Sequence, residues 1–183
     1  MISALLFSNL LFANPAPVAP TLDGSYHREC YVVETDALTT DLTIKDNQWQ
    51  IQHLAYEDER CEQAYLIYEV DYKVKDTNGK IDMTTMEVSY MTLSDEVSRA
   101  LNMVSYCGFS DWKTKVKKVV SGKLCDEFQA PAVGDVVYSI YSTKQSAEAK
   151  TELYLGTMSG SADGKTPQTR YDHVDSLPLV KFR

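Results

Sequence analysis

Basic residues are scarce relative to acids. Eighteen Lys and Arg stand against 26 Asp and Glu, a formal charge of −8. Nucleic-acid binders show a basic face or stripe, so this balance argues against DNA or RNA as a partner. It also makes anionic membrane surfaces poor targets. Histidine is rarer still. His27, His53 and His173 lie far apart and none has H-E-x-x-H spacing, so each reads as a surface or strand residue rather than a metal ligand. No C-x-x-C pair occurs, which argues against a zinc ribbon or a thioredoxin-like centre. G-x-S-x-G elbows and phosphate loops are also missing. No apolar run is long enough to span a bilayer, so an integral membrane protein is not expected. Internal repeats and low-complexity stretches are absent. No catalytic residue, metal or cofactor is therefore expected, and the chain does not read as an enzyme.

What is present suits one domain of ordinary size: 183 residues, 44% of them apolar. The N-terminus reads MISALLFSNLLFANPAPVAP. Residues 4–13 are almost wholly apolar, and Pro15, Pro17 and Pro20 then stop any helix. Residues 1–20 read as a secretory signal peptide and Pro-rich linker, although no Lys or Arg precedes the apolar run. Residues 21–183 then form the mature domain, exported to a periplasm or secreted. Four cysteines, Cys30, Cys61, Cys107 and Cys125, all lie in that domain. An even number in an exported chain favours disulfides, with three pairings possible.

Period-two alternation dominates residues 25–92. In YLIYEVDYKVK, Leu66, Tyr68, Val70, Tyr72 and Val74 share one face, opposite Glu69, Asp71, Lys73 and Lys75. That pattern predicts a half-buried antiparallel strand. Asn78-Gly79 predicts a tight hairpin, because both residues tolerate positive φ. On the return strand the apolar parity switches between Met83 and Met86, which predicts a bulge near Thr84 and Thr85. Upstream, Leu42 and Ile44 lead to an Asp46-Asn47 turn and return through Trp49 and Ile51. Residues 94–106 predict the one helix. Ser94 is its N-cap, Asp95 and Glu96 suit its positive end, and Val97, Ala100, Leu101 and Val104 make an apolar stripe. Cys107 follows at the helix C-terminus, whose negative partial charge disfavours a thiolate. Further strands bring the count to eight or nine, which suggests a barrel or a sandwich.

Two acidic stretches have ordinary readings. YEDERCE, residues 56–62, reads as a solvated turn between strands, and DTNGKID lacks EF-hand spacing and reads as the hairpin. Lys113, Lys115 and Lys117 would share one face of an extended segment. They predict a solvated or edge strand, with a docking patch for an acidic partner or an anionic lipid headgroup as the sharper alternative.

LDGSYHREC, residues 22–30, resembles the opening strand of lipocalin-like domains, with Tyr26 where Trp is usual. YEDERC, residues 56–61, resembles the Y-x-D-x-x-C that follows the third strand in such domains. Together they resemble the lipocalin-like repeats of the adenomatosis-polyposis-coli-down-regulated family. The chain is also similar to small exported bacterial lipocalin-like proteins, through Cys107-Gly108-Phe109, Trp112, Cys125, Gly134-Asp135, Tyr138, Leu153-Tyr154, Gly156 and Arg170. The resemblance implies a lipocalin-like antiparallel barrel, pairings Cys30–Cys61 and Cys107–Cys125, and a cation from Arg170 or Arg183 stacked on Tyr26. Phe109 and Trp112 read as core plugs.

A barrel of eight strands holds side chains or one small ligand. The expected activity is binding of a small apolar or lipid-like molecule, with Trp49, Tyr68, Tyr72, Tyr90 and Met86 as contacts. Inward tyrosines favour a partly polar cavity, since a buried phenol needs a partner. A protein-interaction module with a filled barrel is the alternative.

Overall fold

The structure, a computed structural model, describes residues 22–33 and 36–182. The leader expected over residues 1–20 and Arg183 lie outside the described residues. Alternating side chains and tight turns build five successive antiparallel strands: β1 (Gly24–Val33), β2 (Asp36–Lys45), β3 (Gln48–Tyr56), β4 (Ala64–Thr77) and β5 (Lys80–Thr92). Asp46, Asn78 and Gly79 take the positive φ that the β2–β3 and β4–β5 turns require.

An insertion follows. It holds α1 (Asp95–Met103), a 3₁₀ turn (Tyr106–Gly108), β6 (Lys118–Val119) and a hairpin of β7 (Leu124–Cys125) and β8 (Phe128–Gln129). The chain then returns through β9 (Val136–Gln145), β10 (Thr151–Thr157), β11 (His173–Val174) and β12 (Leu179–Lys181). β9 pairs with β5 and β10, β12 with β10 and β1. Eight strands therefore close an antiparallel barrel in the order β1-β2-β3-β4-β5-β9-β10-β12. Two further strands, β6 and β11, attach to β5 and β10. This is the lipocalin-like barrel with one helix that the sequence predicts.

Two clusters fill it. At the hairpin end Tyr26, Leu42, Ile44, Trp49, Val74, Ile81, Met83, Leu153 and Leu179 form a core. At the insertion end Val70, Val88 and Tyr90 pack against Cys107, Trp112, Val120 and Cys125. Asn102 clamps the insertion: its amide donates to the Trp112 carbonyl and accepts from the Trp112 N–H. Both cysteine pairs are at bonding distance, Cys30 with Cys61 and Cys107 with Cys125.

Several expectations are corrected. The helix ends at Met103, short of residue 106, and Ser105 and Cys107 then turn through positive φ. Ser94 caps it as expected, accepting from the Val97 N–H. Its inner face is not the apolar stripe: Ser98 is buried, while Ala100 and Val104 are exposed. The reason is a hydroxyl network, in which Ser98 bonds Thr92 of β5 at 2.7 Å and Thr114 at 3.0 Å. The bulge in β5 falls one residue later than predicted. Asp71 pairs Glu87 and Tyr72 pairs Thr85, so Met86 is skipped and half-exposed instead of inward. The lysine segment is not one strand: Lys115 is left-handed and only residues 118–119 pair with β5. Lys117 crosses to Glu69 at 2.5 Å and Glu87 at 3.2 Å, which removes the free lysine face. Lys181 rather than Arg170 stands over the Tyr26 ring, at 5.6 Å, and Arg170 lies over Tyr138.

Candidate functional site

The strand register places one residue from each of five strands in a transverse row on the inner face of the barrel. Arg28 of β1 faces Thr40 of β2, Thr40 faces His53, His53 faces Tyr68, and Tyr68 faces Tyr90. The row below it, toward the hairpin end, is Tyr26, Leu42, Ile51, Val70 and Val88, again by register. A polar-tipped belt thus rests on an apolar floor. Sheets alternate faces with a period of two, so both rows point into the barrel.

The polar groups of the belt are joined. The Tyr31 hydroxyl meets Thr40 Oγ1 at 2.9 Å, and Thr40 Oγ1 meets His53 Nδ1 at 3.0 Å. When Thr40 donates to Nδ1, the His53 proton sits on Nε2 and is left to donate. Burial, and then the positive charge of Arg28, lower the His53 pKa to about 4. The imidazole is therefore neutral near pH 7. Such a weak base draws little on the Thr40 hydroxyl proton, so the pair makes a poor nucleophile and base.

Arg28 is the strongest charge in the belt. Its Nη1 pairs with Asp175 at 2.7 Å and its Nη2 donates to the Leu177 carbonyl. Its guanidinium lies 5.2 Å from the Tyr31 ring centroid. The Nε–H is buried and has no partner among the described residues. A buried donor without an acceptor costs on the order of 1–3 kcal/mol, and an oxygen supplied from outside would relieve it.

Aromatic rings continue the belt. His53 stacks on Tyr68, with centroids 6.0 Å apart, and Tyr68 lies 5.0 Å from Tyr90. Phe128, on the stapled β7–β8 hairpin, meets Tyr68 edge-on at 5.8 Å, and Tyr106 meets Tyr90 at 5.9 Å. Burial raises the phenol pKa values of Tyr68 and Tyr90, followed by the neighbouring Tyr72 and Tyr106 respectively. Tyr72 is pushed up to about 12, by burial and then by Tyr171. All three phenols stay neutral hydroxyls at physiological pH.

The residues singled out from sequence therefore fall into two groups, Tyr68 with Tyr90 and Trp49 with Tyr72 and Met86. Tyr68 and Tyr90 lie together in the belt, while Tyr72 sits four residues further along β4 and packs against both cores. Trp49 is buried in the hairpin-end core, away from the belt. Met86 is half-exposed and borders a groove with Asp71 and Lys73 that Trp49 and Tyr72 also line. Arg28, Thr40 and His53 were missed, although Arg28 follows Tyr26 by two, His53 follows Ile51 by two and Thr40 precedes Leu42 by two. Strand parity carried the signal; their polarity hid it.

Among the described residues no helix is long and apolar enough to cross a membrane, and no cluster of His, Cys, Asp or Glu is arranged for a metal ion. No protein-family model matches the chain, and no curated protein matches it either.

Proposed function

We propose that this is an exported, lipocalin-like binding protein for a small amphipathic molecule, seated in the insertion half of the barrel. The belt of Arg28, Thr40, His53, Tyr68 and Tyr90 above an apolar floor is the observation that carries this reading. Binding sites combine apolar walls with a few placed polar groups. Here the free donors, Arg28 Nε–H and His53 Nε2–H, suit an oxygen acceptor on the ligand, and the floor suits its hydrocarbon body. Two disulfides support an oxidising compartment. Thiol labelling of protein from its source, without reductant, should find no free cysteine; four labelled thiols would contradict export.

Titration with a fluorescent fatty acid tests the site. Saturable binding is expected, and Tyr68→Ala should weaken it while the domain stays folded. If the belt is merely core, no probe binds and Tyr68→Ala instead costs about 3 kcal/mol or more of stability.

A second reading has one observation in its favour. Met103, Val104 and Leu124 are 83%, 69% and 61% exposed on the stapled insertion. They would suit a protein-interaction module, for which the probe titration should be blank.

A further inference from the structure

The hairpin end of the barrel, opposite the polar belt, holds a cavity of about 530 Å³. Ile44, Val74 and the indole of Trp49 form its apolar base, Tyr141 joins them, and Asp23, Asp46 and Asp76 stand around its mouth. Among the described residues no Lys, Arg or His lines it. Among the described residues none of the three carboxylates is in an ion pair. Asp23 accepts from the Asp46 N–H, and Asp76 accepts from the Gly79 N–H and, at 2.6 Å, from the Tyr141 hydroxyl. The Lys181 ammonium bonds the Asp23 carbonyl, not its carboxylate, and lies over Tyr26.

Two aromatic rings complete the site. Trp49 and Tyr141 have centroids 6.2 Å apart and planes inclined at 60°, so their faces form a corner. Trp49 is only 3% exposed, yet its indole N–H makes no hydrogen bond among the described residues. Burial, and then Asp76, push the Tyr141 phenol up to about 12, so its proton stays on the bond to Asp76.

Each element selects a ligand property. Uncompensated carboxylates select positive charge. Tilted aromatic faces attract a cation to their negative quadrupole, most effectively one with a diffuse, weakly hydrated charge. The indole N–H, which has no partner among the described residues, is left to donate to an oxygen next to that charge. The apolar base selects methyl or methylene groups over a hydrated metal ion. We propose that this cavity binds a small organic cation of the amino-alcohol class, a substituted ammonium with an adjacent hydroxyl or ester oxygen.

Choline and its uncharged isostere 3,3-dimethylbutan-1-ol make the test, because they share shape and differ in charge. The two indole N–H signals of the ¹H–¹⁵N spectrum are assigned with Trp49→Phe. Choline should shift the Trp49 signal saturably and leave Trp112, whose N–H is bound to the Tyr106 carbonyl, in place. The isostere should bind at least about tenfold more weakly, since it lacks the charge that the carboxylates and rings select. The combined variant Asp23→Asn, Asp46→Asn and Asp76→Asn removes the three charges and keeps one acceptor oxygen at each position. The Gly79 N–H and the Tyr141 hydroxyl use separate oxygens of Asp76, so at that position the new amide N–H donates to the Tyr141 hydroxyl oxygen instead, and Asn tolerates the positive φ of residue 46. The triple variant should lose choline binding by at least the same factor while its unfolding midpoint holds. Equal binding of the two isosteres, no movement of the Trp49 signal, or unchanged affinity in the folded triple variant would overturn the proposal. So would displacement of choline by millimolar calcium, which would make the site one for inorganic cations.

Discussion

His53 offers a sharp quantitative test of the belt. It faces Thr40 of β2 and Tyr68 of β4, with the Arg28 charge on β1 beyond Thr40. In the unfolded chain it titrates near 6.5, and in the folded protein near 4. Between those values the unfolded chain binds a proton that the folded protein does not. Stability from this residue is therefore complete above about pH 6.5 and is lost as pH falls toward 4. At about 1.4 kcal/mol for each unit, a shift of roughly 2.5 units gives a loss of about 3 kcal/mol. Partial solvent access brings the expected figure to the order of 2–3 kcal/mol. The assay is urea unfolding at pH 7.5 and pH 4, for the protein and for His53→Gln, which accepts from Thr40 but does not titrate. Acidic side chains contribute equally to both, so the difference isolates His53. A His53 ring that titrates near 6.5 by NMR, or equal acid losses in the two proteins, would refute the buried, Arg28-facing placement.

Other outcomes follow from packing and covalent geometry. Replacing Cys107 and Cys125 by Ser opens a connection of 18 residues, which should cost about 3 kcal/mol in the chain-entropy treatment; an unchanged urea midpoint would show that the staple is not formed. The 31-residue Cys30–Cys61 closure should be worth about 4 kcal/mol on the same basis. Gly156→Ala would put a methyl group 2.5 Å from Ser139 Oγ and 3.0 Å from the Ile140 nitrogen. Overpacking of that kind costs about 1–3 kcal/mol, and a loss under half a kcal/mol would mean that β9 and β10 lie further apart.

The sequence carried the barrel well because its strands alternate strictly and its turns need special residues. Tyr68, Val70, Tyr72 and Val74 announce an inward face, and Asn78-Gly79 announces the hairpin. Elsewhere tertiary contacts decided the outcome. Ser98 is the buried residue of α1 because Thr92 and Thr114 supply hydroxyl partners, and a hydrophobicity pattern cannot register that. Met86 was misplaced because Thr85 takes the inward position that apolar parity assigned to its neighbour, which moves the bulge by one residue. The belt escaped notice for a related reason. Arg28 and His53 are polar and drew no notice as inward residues, yet parity with Tyr26 and Ile51 turns them inward, where Asp175 and Thr40 receive them. Trp49 stood out for its size, and it lies at the other end of the barrel.

The central claim is that the belt holds the polar head of an amphipathic ligand. The most direct measurement is a ¹H–¹⁵N titration of the labelled protein with decanoate, following the Arg28 Nε–H and the His53 ring nitrogens. The account predicts a saturable downfield shift of Arg28 Nε–H as it gains an acceptor, with matching shifts at His53 and at the Tyr68 and Tyr90 amides. Saturable binding that leaves Arg28 and His53 unmoved, or no binding at all, would contradict it.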